Sequence, residues 1–95
     1  MALAVLEQHH LVIRGAVDGV AFRVWILNVA RTMQLTGEAR FPEPGVCEVI
    51  AQGSRFALRQ FAATCRRGPS EGVVASVSDA RERIEKHLFE FALSR

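Results

Sequence analysis

Gly15-Ala16-Val17-Asp18-Gly19-Val20-Ala21-Phe22-Arg23 breaks an apolar run with a short loop and passes it on to a helical pattern. Glycine at 15 and 19 lets the backbone bend so that successive N–H groups converge. The helix that follows adds partial positive charge at its N-terminus, and Arg23 supplies a fixed fork of donors. Strand, glycine-bearing turn and helix thus combine into a candidate anion cradle, with Gly15, Ala16, Val17, Asp18, Gly19 and Val20 as the loop. Taken alone, the same residues also fit an ordinary strand-to-helix turn with a solvated arginine. Asp18 works against the cradle: facing a bound anion about 4 Å away, a carboxylate costs roughly 4 kcal/mol at an effective dielectric near 20. Turned outward, it costs little.

Working outward, His10 to Arg14 alternates around Leu11 and Ile13 and reads as a strand. Phe22, Ile26, Val29, Ala30 and Met33 fall on one helical stripe, with Arg31 and Gln34 off it and Gly37 as a C-cap neighbour. Residues 38 to 41 are short and extended, and Phe41-Pro42-Glu43-Pro44-Gly45 is turn chemistry. Cys47 to Ala51 reads as the returning strand. Ser54 serves as N-cap for a second amphipathic helix traced by Phe56, Ala57, Arg59, Gln60, Phe61, Thr64 and Cys65, which stops at Gly68-Pro69. Val73 to Val77, apolar and β-branched, is a fourth strand.

Strand, helix, strand, strand, helix, strand is the ferredoxin-like split βαβ order, an α+β sandwich. Right-handed crossovers put both helices on one face of an antiparallel sheet. The tail reads two ways. Asp79 and Glu82 have capping-box spacing ahead of Ile84, Leu88, Phe91 and Ala92, a helical pattern, whereas Leu88 to Leu93 also fits an edge strand.

Ninety-five residues with 49% hydrophobic content bound the chain to one domain, residues 1–95, able to bury a core. A net charge of +2 with scattered basic residues does not point to nucleic acid, and the central strands carry no aromatic pair for base stacking. Met1 to Leu6 is apolar but short and lacks a basic flank, so no secretion signal is read there, and no run approaches a membrane span. A cytoplasmic location is the expectation. Cys47 and Cys65 lack metal or disulfide-scaffold spacing and read as reduced, buried residues. Adjacent His9 and His10 on a strand point to opposite faces and cannot chelate one ion, so a solvated strand start is expected. His87 has no partner at metal spacing, Arg66-Arg67 suits a helix end, and Glu82 to Lys86 reads as a solvated face.

Taken together these residues resemble the acylphosphatase family, whose signature G-x-V-Q-G-V-x-F-R is matched by Gly15, Val17, Gly19, Val20, Phe22 and Arg23, with Asp18 in place of glutamine. Leu35-Thr36-Gly37, Glu48-Val49-Ile50-Ala51-Gln52-Gly53 and Arg66-Arg67-Gly68-Pro69 extend the likeness over Leu11 to Val77. The resemblance implies a fifth strand near Leu88 to Leu93. It also implies hydrolysis of the carboxyl-phosphate bond of small acyl phosphates, with Arg23 as phosphate anchor and the loop backbone as cradle. The implied partners are a small acyl phosphate, inorganic phosphate or sulfate, with neither metal nor organic cofactor; nucleic acid, a membrane and a second subunit are not expected. The asparagine that positions the attacking water in the family falls at Phe41, in a register fixed by Gly37, Gly45 and Glu48. Phenylalanine can neither accept from nor donate to water, and loss of an oriented hydrogen-bonding group in such a site costs on the order of a hundred- to a thousand-fold in rate. Impaired or lost hydrolysis is the expectation, and a non-catalytic anion-binding or interaction module on the same fold is the alternative.

Overall fold

The computed structural model describes residues 6–94; apart from Leu6, the stretch on which the secretion-signal reading rests lies outside them. The chain order is β1 (Leu6–Gly15), α1 (Val20–Thr32), β2 (Thr36–Glu43), β3 (Val46–Ser54), α2 (Arg55–Arg67), β4 (Val74–Glu82) and β5 (Phe91–Leu93). The strands form one sheet in the order β4-β1-β3-β2-β5.

The two central strands pair antiparallel with Leu11 opposite Val49 and Ile13 opposite Cys47. This register turns every second residue to the helices: Leu11, Ile13, Cys47, Val49 and Ala51 are all buried there. Phe22, Ile26 and Ala30 of α1 and Leu58, Phe61, Ala62 and Cys65 of α2 close the core from the other side. Phe56, placed on the second helical stripe by sequence, is instead 72% exposed. Ser54 is the expected N-cap, its hydroxyl accepting from the Ala57 N–H at 3.1 Å.

Three expectations are corrected. Gly37 does not cap α1. Gln34 takes the left-handed turn (φ +59°), and Gly37 lies in β2, where a Cβ would overlap the Ile50 carbonyl. Asp79 and Glu82 start no helix. They continue β4, paired with Leu11 and Gln8 of β1, because the long β1 edge offers ladder bonds and side-chain partners that outweigh a local capping pattern. Finally, the sheet is not wholly antiparallel. The fifth strand exists, as the family likeness implies, but it pairs parallel with β2, Gly37 opposite Phe91 and Ala39 opposite Leu93.

Since β4 and β5 are the two sheet edges, residues 83–90 must cross the sheet to join them. They do so on the face away from the helices, fastened by Gln52. Its side chain, in a residue only 2% exposed, donates to the Lys86 carbonyl at 2.7 Å and accepts from the Leu88 N–H at 2.9 Å. On the helix side, Arg31 of α1 donates to the Phe91 carbonyl at 3.1 Å, so β5 is held from both layers.

Candidate functional site

Where β1 meets the loop, the backbone passes β4 so closely that a Cβ on Gly15 would overlap the Val73 carbonyl oxygen. The Gly15 N–H donates to the Gly45 carbonyl at 3.1 Å and the Ala16 N–H to the Val73 carbonyl at 2.7 Å. These bonds hold the loop on both flanks and consume two of its donors, so Gly15 and Ala16 contribute shape to the cradle rather than free N–H groups. Val17 is fully buried and plugs the loop into the core.

Beyond it the donors are free. The backbone N–H groups of residues 17 to 22 have no acceptor among the described residues. Gly19 caps α1 with φ +134°, no side chain bonds to the helix start, and the first turn holds no acidic residue. The helix N-terminus is thus left open with its partial positive charge unanswered.

Asp18 does not turn over these amides. Its two carboxylate oxygens accept from the Gly45 N–H at 2.9 and 3.0 Å. Gly45 therefore accepts from Gly15 and donates to Asp18, a clasp between the cradle loop and the β2–β3 turn. The Asp18 carboxylate is exposed to solvent, which screens its repulsion of an anion well below the contact value.

The β2–β3 ladder slips just after Arg40. Arg40 faces Glu48 and Glu43 faces Val46, so Phe41 and Pro42 together oppose one residue of β3. Proline cannot donate to a ladder, and a bulge re-aims the side chain beside it. The Phe41 ring is turned beneath α1, with the Arg23 guanidinium carbon 4.2 Å from its centroid. Phe22 meets the ring edge-on at 6.5 Å and 87°, and Trp25 stands 5.4 Å from Phe22. Arg23, exposed on the helix, is thus held against an aromatic face while its N–H edges stay available.

Asp18, Arg23, Phe41, Pro42, Glu43 and Pro44 line a cleft of about 540 Å³ at this point. Hollows of about 400 and 570 Å³ beside the crossing segment 83–90 contain none of the cradle residues. The sequence reading brought the loop and Arg23 to Phe41, but it missed Pro44 and Glu43 as cleft walls and Gly45 as the clasp. The Pro-x-Pro-Gly spacing after Phe41 was the available signal, since prolines at a strand end force the bulge that shapes this wall.

Other candidates lie elsewhere. His9 and His10 do face opposite sides, but neither is simply solvated. His9 contacts Asp79 at 2.7 Å and Glu7 at 3.3 Å. His10 stands between Glu48 at 3.2 Å and Glu82 at 3.6 Å. His87 is exposed, and no group of three His, Cys, Asp or Glu among the described residues could hold a metal ion. Cys47 and Cys65 are buried and free. Burial pushes the Cys47 thiol up to about 12 and raises that of Cys65 as well, so neither is a ready nucleophile. No helix among the described residues is long and apolar enough to cross a membrane.

The acylphosphatase family model matches residues 9–92. The acylphosphatase of Acidiphilium cryptum is 37% identical over 73 residues, 77% of each chain. Among solved structures, acylphosphatase from Bacillus subtilis superposes with a TM-score of 0.86 at 25% identity, over 96% of this chain and 100% of that one. An acylphosphatase from Coxiella burnetii does so with a TM-score of 0.84 at 26% identity, over 94% of this chain and 93% of its own.

Proposed function

The chain belongs to the acylphosphatase family, and from that premise we propose that it binds small acyl phosphates at the α1 N-terminus but hydrolyses them weakly or not at all. The observation that carries this reading is the stack of Arg23 on Phe41, 4.2 Å from guanidinium carbon to ring centroid, beside unpartnered loop amides. The N–H groups of Val17, Asp18, Gly19 and Val20 and the guanidinium edges of Arg23 would receive the phosphoryl oxygens. Positioning and charge stabilisation supply most of the acceleration in phosphoryl transfer, so the first half of the family's machinery is available.

The second half is what Phe41 lacks. In the reaction, water attacks phosphorus, the bond from phosphorus to the acyl oxygen breaks, and carboxylate and phosphate leave. With a benzene ring where the family pattern places an asparagine, the water is held by the substrate's own phosphoryl oxygens and the backbone alone. The expected deficit is on the order of a hundred- to a thousand-fold. The reading takes residues 1–95 as one domain acting as a monomer in the cytoplasm, without metal or organic cofactor, and without nucleic-acid or membrane partners.

Benzoyl phosphate hydrolysis by the wild-type chain, measured beside the Bacillus subtilis acylphosphatase and beside a Phe41→Asn, Asp18→Gln double variant, tests this. The double variant is expected to turn over at least about a hundredfold faster than wild type; a wild type as fast as the Bacillus protein overturns the assigned deficit. A second reading, an anion-binding module without chemistry, is favoured by the same stack, which commits Arg23 to a fixed pose regardless of any water. It requires that inorganic phosphate shift the amide resonances of residues 17 to 22 while benzoyl phosphate stays intact.

A further inference from the structure

We propose that Phe41 is a specificity-determining residue, which fits this cleft to phosphoryl ligands whose organic part is aromatic or compactly apolar and carries no further negative charge. The inference rests on the phosphate reading of the cradle and names the class of ligand that the same site takes. Of the six cleft residues, Phe41, Pro42 and Pro44 are apolar, and all three come from the bulged end of β2 and the turn after it. Arg23 lies over the Phe41 ring at the same place, so a ligand whose phosphoryl group is anchored at Arg23 brings its organic part against the portion of Phe41 that lines the cleft and against the two prolines beside it.

The ring is a firm surface. Arg23 covers it at 4.2 Å, Phe22 abuts its edge at 6.5 Å, and Pro42 fixes the adjoining backbone. Little side-chain freedom is left to lose on binding, which is the condition under which an aromatic contact shows as affinity. An asparagine at this position would present an amide, which favours water and polar acyl groups.

The charges select in the same direction. Asp18 and Glu43 place two carboxylates on the cleft against the single guanidinium of Arg23. The phosphoryl group is served by Arg23 and the helix N-terminus, whereas a second anionic group on the organic part meets only these carboxylates.

The full chain is titrated with inorganic phosphate, phenyl phosphate and phosphoglycolate, followed by the amide resonances of residues 17 to 22 and by the emission of Trp25, the only tryptophan. Trp25 reports through Phe22, which touches both it and Phe41. Phenyl phosphate is expected to bind about tenfold more tightly than inorganic phosphate, the worth of one aromatic contact, and phosphoglycolate more weakly than either. In Phe41→Asn the phenyl-to-inorganic ratio falls to about three or less, while Phe41→Tyr, which keeps the ring, retains it. Equal affinities in the wild type, or a ratio unchanged in Phe41→Asn, overturn the inference while leaving the phosphate site standing. Amides that respond to none of the three ligands overturn the phosphate site itself and the inference with it.

Discussion

At the scale of single residues, Phe41 and Asp18, the two positions where the sequence is expected to depart from the family signature, both have partners in the fold. Phe41 was legible as the absence of a polar group, not as a platform for Arg23, because a stack between helix and strand depends on the bulge at Pro42 and not on spacing along either element. Whether Asp18 faced the ligand was undecidable from sequence for a similar reason: its partner, Gly45, lies 27 residues away. The clasp gives a prediction. Asp18→Ala leaves the Gly45 N–H without its acceptor. It should cost about 1 kcal/mol, less than a buried bond to a charged group because the site is exposed. A lower urea midpoint with faster amide exchange at Gly45 is the expected result, and an unchanged Gly45 exchange rate contradicts it.

At the scale of elements, both helices and β1 were legible from apolar periodicity, since burial on one face imposes that period directly. β3 and the start of β4 were legible as apolar runs, and β2 only as a short extended stretch before turn residues. The second half of β4 was not legible, because its mostly exposed residues carry no such period. The tail was not, because β5 has three residues and a periodic signal needs more. Its place is set by the crossing segment and by Gln52, whose amide stands in for a strand by pairing with one carbonyl and one N–H of the segment. Gln52→Leu keeps the volume and removes both bonds together with the one Gln52 donates to Gln8 Oε1, leaving the Leu88 N–H, the Lys86 carbonyl and the Gln8 oxygen unanswered at a partly buried site. A loss of about 1–3 kcal/mol is expected, with amide exchange at Leu88 and Phe91 to Leu93 rising more than in the central strands. A uniform rise across the sheet would instead mean that the segment and the sheet open together.

At the scale of the whole molecule, two carboxylates tie elements together on opposite sides of the sheet. Glu7, in β1, is held below the usual carboxylate range by a hydrogen bond from Arg55 of α2 and by His9, with Arg81 of β4 adding to them. For Glu48, in β3, desolvation pushes upward, but the His10 imidazole 3.2 Å away and the Arg40 guanidinium overcome it and the net shift is downward. A carboxylate with a depressed folded value stabilises fully above its unfolded value, about 4.3, and that contribution disappears as pH falls through the lower folded value. The urea midpoint is therefore expected to hold between pH 7 and 5 and to decline below about pH 4. Glu48→Gln should flatten that decline, and a variant with the wild-type slope shows that Glu48 contributes nothing to it. Such cross-sheet pairings were beyond sequence reading, because they depend on a register that joins residues as far apart as Glu7 and Arg81.

The parallel pairing of β5 with β2 also fixes the direction in which the chain leaves the fold. The Ser94 N–H donates to the Ala39 carbonyl at 2.8 Å, so the polypeptide departs along the same edge that reaches Phe41 two residues later, roughly 7 Å on. β1 begins at the far end of the sheet, where Leu6 faces Ser54. An affinity tag or fusion partner joined through the segment that follows Ser94 would therefore start from the cleft end of the sheet, whereas one joined through the segment ahead of Leu6 would start from the far end. Ligand titrations and turnover assays of this protein call for the second arrangement.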